Sequence, residues 1–234
     1  VPKYNLDVGS GSHGEQTGKM LKGIEKILQE DTPDVVLVQG DTNTVLAGAL
    51  AASKLHIKVG HVEAGLRSFD RSMPEEINRV VADHISDYLF APTENSKKYL
   101  LAEGIPDEKI FVTGNTVVDA VYQNLEIAKN NGDVLDKYGL TEKKYFLATV
   151  HRAENTDSRD RLRSILAGFE QVHMDLGLPI IFPAHPRTVK MVKEFGLTVP
   201  EGTSIVQPLG YLDFLQLEGA AKLILSDSGG LQEE

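Results

Sequence analysis

Apolar residues follow two rhythms along this chain. Short runs of consecutive apolar positions, rich in Val and Ile, recur at about 35–38, 59–62, 88–91, 110–113, 145–150, 180–183, 204–206 and 223–226. Between them the apolar positions spread to one face of a helix, at about 15–28, 44–54, 74–85, 96–102, 117–130, 159–174, 187–195 and 212–218. The first rhythm predicts strands covered on both faces, and the second predicts amphipathic helices. Their regular alternation predicts an α/β fold, with parallel sheets and crossover helices. Polar and Gly-containing stretches flank one helix around 114–131 and read as a hinge, which predicts two domains, 1–116 and 117–234.

Composition narrows the function classes. With 234 residues, 41% of them hydrophobic, the chain can fill one large core or two small ones. A net charge of −10 argues against nucleic acid or a membrane surface as a partner, because either needs a basic face. An anionic ligand would instead need local arginines and helix N-termini. The chain has no cysteine, which removes disulfides, thiolate zinc sites and cysteine nucleophiles. No apolar run approaches the roughly 18 residues of a membrane span. No signal peptide is visible, and the expected compartment is the cytoplasm. The chain opens without Met on a loop-like stretch and stops soon after SDSGG, within the first turns of an expected helix. A fragment of a longer protein is therefore expected.

Polar clusters sit where predicted strands end, the edge at which parallel sheets bind ligands. Asp41 follows the first strand and Gly40. It reads either as the cap of the next helix or, with Glu63 after the next strand, as part of a carboxylate site. Residues 61–79, HVEAGLRSFDRSMPEEINR, combine Glu63, Glu75 and Glu76 with Arg67, Arg71 and Arg79. Acids at a helix start also suit the helix dipole, and Glu76 with Arg79 fits a simple i,i+3 pair. Clustered carboxylates raise at least one pKa and so supply an acid or base near neutrality. Glu76 and Arg71 are assigned to helix-start and surface roles. After the 145–150 strand comes His151-Arg152-Ala153-Glu154-Asn155, suited to a diphosphate, and His185 repeats the pattern in FPAHPR. His185 reads equally as a loop histidine beside Pro186. Last, Ser228, Gly229 and Gly230 follow a strand, with Glu234 about a turn further on. That order is either a phosphate cradle or a tight strand-to-helix turn. No GxGxxG fingerprint, Walker lysine loop, Asp-x-Asp pair or metal-ligand histidine spacing is present, so no metal or cofactor is expected.

Taken together, GDTNTVLAGALAA, GHVEAGLRS, PEEINR, TGNT with VDA, HRAEN and SDSGGLQEE resemble the non-hydrolysing UDP-N-acetylglucosamine 2-epimerases, in order and spacing across nearly the whole chain. The resemblance implies two Rossmann-like domains in a glycosyltransferase-B-like arrangement, with the active site in the interdomain cleft. Both domains are incomplete here: the family's first strand and its Gly-Thr-Arg-Pro-Glu loop are missing, as is everything after SDSGGLQEE. It implies an isomerase acting on UDP-GlcNAc and UDP-ManNAc, homodimeric, feeding cell-envelope polysaccharide synthesis without a cofactor. It implies catalytic roles for Asp41, Glu63, Glu75 and His151. Substrate contacts are expected from Arg67, Arg79, Arg152, His185, Ser228, Gly229, Gly230 and Glu234. A UDP-sugar glycosyltransferase of the same fold, a hydrolysing epimerase and an inactive fragment remain the competing readings.

Overall fold

The computed structural model describes residues 2–232 apart from 129, 131 and 133. Two compact units divide the chain, Val1–Thr116 and Val117–Glu234. Each is an α/β layer built on a parallel sheet.

In the first unit, α1 (His13–Asp31), α2 (Asn43–Lys54), α3 (Pro74–Ile85) and α4 (Glu94–Ala102) alternate with β1 (Val35–Gln39), β2 (Lys58–Val62), β3 (Tyr88–Ala91) and β4 (Ile110–Val112). The strands pair in sequence order, with Gln39 beside Val62 and Val62 beside Phe90. Local signals set the helix starts. Ser12 and Thr93 cap α1 and α4 through their side chains, and Pro74 occupies the first turn of α3. Small residues let α2 lie close on the sheet: Ala49 and Ala52 are fully buried, and a Cβ on Gly48 would stand 3.2 Å from Val38. Leu28, Val38, Val59 and Ala82 complete this core. Because every strand runs the same way, the loops carrying Gly40–Asp41 and Glu63 open at one edge. The N-terminus of α3 opens there too.

The second unit contains α5 (Thr116–Ala128), α6 (Val134–Tyr138), β5 (Phe146–Thr149), α7 (Ala153–Thr156), α8 (Arg159–Leu176), β6 (Ile180–Pro183), α9 (Pro186–Glu194), β7 (Thr203–Val206), α10 (Tyr211–Ala220) and β8 (Leu223–Ser226). Its sheet is parallel in the order β7-β6-β5-β8. The chain winds outward from β5 through β6 to β7, then returns to the other side of β5. The loops after β5 and β8 therefore flank a topological switch point, the favoured ligand position in an open α/β sheet. Phe146, Leu162, Leu166, Phe169, Ile180 and Phe182 fill the core, with the Phe169 and Phe182 rings edge-to-face at 5.7 Å.

Three local expectations need correction. The one-turn helices α6 and α7 are too short to show a periodicity. The predicted strand 145–150 keeps only Phe146–Thr149 as strand. After SDSGG, where a helix start was expected, the described chain makes a single 3-10 turn, Gly230–Gln232. No helix of the described residues is long and apolar enough to cross a membrane.

Phe182 is fully buried, whereas Met174 is 72% exposed. Phe182→Ala should cost about 3–5 kcal/mol and Met174→Ala no more than about 0.5 kcal/mol. Chemical denaturation checks both. Equal losses would mean that the packing centre of this unit lies elsewhere.

Candidate active site

In the first unit the sheet edge gathers acids, each in a different state. Asp41 follows Gly40, whose φ of 80° makes the tight turn out of β1. Its carboxylate accepts from Nη2 of Arg79, and its carbonyl accepts from Asn78 Nδ2 at 2.9 Å. The capping reading of Asp41 does not hold: Thr42 is the N-cap of α2, without a side-chain capping bond. Glu63 has a φ of 71°, in the left-handed region that non-Gly residues rarely occupy. Gln39 Nε2 donates to Glu63 Oε1 at 2.8 Å, and a Cβ on Gly40 would sit 3.7 Å from Glu63 Oε2. The neighbouring pairing of β1 and β2 thus puts the Asp41 turn beside Glu63. Glu75 is half-buried in the first turn of α3, and its carboxylate has no partner among the described residues.

The arginines divide. Arg79 lies between Asp41 and Glu76, with Nη1 3.3 Å from Glu76 Oε2, and its buried Nε–H has no partner among the described residues. An unpaired buried donor beside a row of acids can take an oxygen of a ligand. Arg67 is different from expectation. Its side chain is 1% exposed and forks onto Glu103 at 2.7 and 2.6 Å, with Nη1 2.8 Å from Asp83 Oδ2. It is engaged as a strut between Asp83 and Glu103. Sequence order alone could not separate it from Arg79, because both follow the same turn.

Glu76 makes the expected i,i+3 pair with Arg79 but is not a surface residue. It is 3% exposed and accepts from the Ser68 N–H at 2.9 Å, the Ser68 hydroxyl at 3.0 Å and the Phe69 N–H at 3.0 Å. Burial pushes its carboxyl upward, but these donors and Arg79 outweigh burial and hold it below the usual range. Glu76 therefore ties the 63–73 loop to α3. Two neighbours missed by pattern reading, His61 and Asp83, are fully buried and hydrogen-bonded at 2.6 Å. Polar residues on the inner faces of a strand and a helix give no periodicity signal.

In the second unit, the organising group is Asp227, at the end of β8. It accepts from the N–H groups of His151 (3.1 Å) and Arg152 (3.0 Å) and from Asn155 Nδ2 (3.0 Å). Its Oδ1 also stands 2.9 Å from His151 Nδ1. Burial again acts upward, and Asn155, the two N–H groups and the His151 charge outweigh it, leaving Asp227 below the usual range. This orients the imidazole, more than half exposed, with Nε2 left to act outward. Arg152 Nη2 lies 3.8 Å from the Cβ position of Gly229. Neither Gly229 nor Gly230 has a positive φ, so their value here is space rather than conformational freedom. The Ser228 hydroxyl accepts weakly from Leu231 N at 3.4 Å. His185 serves as a cap: its Nδ1 accepts from the Arg187 N–H at 3.2 Å at the start of α9. Glu234 lies outside the described residues.

Comparison with known proteins agrees along the whole length. The model of the family described as UDP-N-acetylglucosamine 2-epimerase matches residues 1–234. A protein of Methanocaldococcus jannaschii named UDP-N-acetylglucosamine 2-epimerase is 60% identical over 239 residues, covering 100% of this chain and 65% of that protein. The UDP-2,3-diacetamido-2,3-dideoxy-D-glucuronate 2-epimerase of Pseudomonas aeruginosa is 42% identical, covering 100% of this chain and 64% of its own. The crystal structure of the M. jannaschii UDP-GlcNAc 2-epimerase in complex with UDP-GlcNAc and UDP superposes with a TM-score of 0.86 at 60% identity, over 99% of this chain and 65% of that one. The chain thus spans 64–65% of the length of these curated relatives.

The lowered carboxyl of Glu76 predicts a pH dependence. A group whose folded pKa lies below its unfolded value stabilises fully above the ordinary carboxylate pKa, near ~4, and loses that contribution as pH falls through the folded value. Glu76→Gln should cost roughly 1–3 kcal/mol at neutral pH and flatten the acid side of the stability curve. Urea midpoints between pH 3 and 7 measure both, and an acid limb identical to wild type would remove Glu76 from this role.

Proposed function

The chain belongs to the UDP-N-acetylglucosamine 2-epimerase family, and on that premise we propose that the protein interconverts UDP-GlcNAc and UDP-ManNAc. The observation that carries the reading is the row of acids at one sheet edge of the first unit. Asp41 is held by Arg79, Glu63 is held by Gln39 in a strained backbone, and Glu75 has no partner among the described residues.

The sugar C2–H is not next to a carbonyl, so direct enolate formation is closed to it. Elimination is open. A carboxylate takes the C2 proton, the C–H pair becomes the C1=C2 bond, and the C1–O pair leaves with UDP, giving 2-acetamidoglucal. Protonation of C2 from the other face and return of UDP to C1 complete the inversion. Asp41, Glu63 and Glu75 supply the acid and base. Arg79 positions Asp41 and offers its free Nε–H. In the second unit, His151, oriented by Asp227, donates to the diphosphate as UDP departs. Arg152, Ser228 and the open space at Gly229 and Gly230 hold UDP, with Glu234 as the family's further nucleotide contact. Arg67 and His185, engaged in the fold as struts and caps, are left out of this scheme. On the same premise the protein works as a homodimer in the cytoplasm and feeds polysaccharide synthesis. The P. aeruginosa relative's name points to C2 epimerisation on another UDP-sugar, and the higher identity to the M. jannaschii protein favours UDP-GlcNAc.

In heavy water the full-length protein should place solvent deuterium at C2 of its product, read by NMR. Product without deuterium rejects elimination, and accumulating free UDP and ManNAc points to the hydrolysing reaction. Asp41→Asn, Glu63→Gln and Glu75→Gln should each lower turnover roughly 10²–10⁴-fold, and near-normal turnover removes that residue from acid–base work. Glu63→Gly separates chemistry from backbone. It should abolish turnover while leaving stability within about 1 kcal/mol of wild type, because Gly relieves the left-handed conformation. A loss above about 2 kcal/mol would mean that Glu63 is held for structure.

A further inference from the structure

We infer that the buried His61–Asp83 pair is a positioning unit that sets the turns carrying Asp41 and Glu63. This rests on the acid–base roles proposed above for those two carboxylates.

The argument starts with hydrogen-bond inventory. His61 is fully buried in the middle of β2, and Asp83 is 1% exposed near the end of α3. His61 Nδ1 is 2.6 Å from Asp83 Oδ1, and Nε2 is 2.8 Å from the Gly40 carbonyl oxygen. A carbonyl oxygen only accepts, so Nε2 must carry a proton. The other side of the ring faces a carboxylate, so a second proton lies on the Nδ1–Oδ1 axis, whichever atom holds it. The imidazole is thus locked as a donor to Gly40, the residue before Asp41. Asp83 reaches the second turn with its other oxygen: Oδ2 accepts from Gly65 N–H at 3.1 Å, two residues after Glu63. Arg67 Nη1, 2.8 Å from the same oxygen, fixes the carboxylate.

One buried pair therefore holds both turns at once. Both turns use left-handed backbone, which is free of steric cost at the glycines and strained at Glu63. Gly40, Glu63 and Gly65 have φ values of 80°, 71° and 80°. At Gly65 a Cβ would come within 2.5 Å of the Ser96 carbonyl oxygen, so the turn is also tightly fitted. A left-handed non-Gly residue such as Glu63 persists only where surrounding contacts over-determine it. A displacement of about 1 Å in an acid–base group can cost 10²-fold in rate. The groups proposed to hold UDP belong to the second unit, so loss of the pair should act on turnover more than on binding.

The substitution Asp83→Asn separates positioning from simple structural support. An amide can donate to His61 Nδ1 while its oxygen keeps the Gly65 and Arg67 bonds, and Nε2–H still points at Gly40. In the full-length protein, Asp83→Ala should lower kcat on UDP-GlcNAc about 10²-fold, with KM within about threefold. Asp83→Asn should recover most of that loss, to within about tenfold of wild type. Equal impairment of both variants, or near-normal kcat in Asp83→Ala, would overturn the inference. Nitrogen NMR of histidine-labelled wild type gives a readout that needs no variant to fold. The signal should show a proton on His61 Nε2, facing the Gly40 carbonyl, and a bare Nε2 would overturn the assignment. Wild-type protein inert toward UDP-GlcNAc would sink the proposed reaction, while the NMR result still judges the pair.

Discussion

A single buried carboxylate, Asp83, connects most of what matters in the first unit. It accepts from His61, from the Gly65 N–H and from Arg67, and Arg67 in turn forks onto Glu103. Stripping a carboxylate of water costs several kcal/mol, and only close, well-aimed donors offset that. Here the donors come from the strand β2, from the turn after it and from the loop beyond. The charge can be satisfied only when those three segments are in place together. Asp83 therefore couples the fold of β2 to the placement of the sheet edge.

The second unit uses the same device with different residues. Asp227 collects the N–H groups of His151 and Arg152 and the amide of Asn155, all from the loop after β5. Asp227 itself directly follows the neighbouring strand β8, at the switch in strand order. In both units an acid that takes no part in the proposed chemistry gathers backbone donors of a loop that does. The division of labour follows from electrostatics. Asp227, saturated by donors, is held below the usual carboxylate range and is a poor proton shuttle near neutrality. A carboxylate left with few partners, such as Glu75, is free to exchange a proton with a substrate.

The alternation of strands and helices was legible because apolar runs and helical spacing differ in period. Residues with inward polar side chains were not. In α3, Glu76, Arg79 and Asp83 share one helix face, at the spacing where an apolar stripe is expected. Glu76 and Asp83 are buried, while Ile77 on another face is 45% exposed. Pattern reading inverts such a face, so it leaves Glu76 with a helix-start or surface role and Asp83 with none. Glu75 and Glu76 show the limit most simply: adjacent on a helix, they point about 100° apart, one toward the loop it anchors and one without a partner. The motifs marked loops at strand ends, but burial decided which residue in each loop holds the structure.

The left-handed backbone at Glu63 completes this reasoning. An L-residue there costs roughly 1–2 kcal/mol that glycine would avoid. Gly40 and Gly65, in the same pair of turns and with similar φ, are glycines. If the turn alone mattered, glycine would serve equally well at 63. The side chain does little for stability in return: among the described residues its hydrogen bond comes from Gln39, itself exposed, and the residue is only half-buried. What glutamate adds over glycine at this place is a carboxylate, aimed from a strand end and stiffened by a backbone that the His61–Asp83 pair holds in a costly conformation. Strain of that kind is best understood as the consequence of requiring an acid at a point where the fold requires a turn.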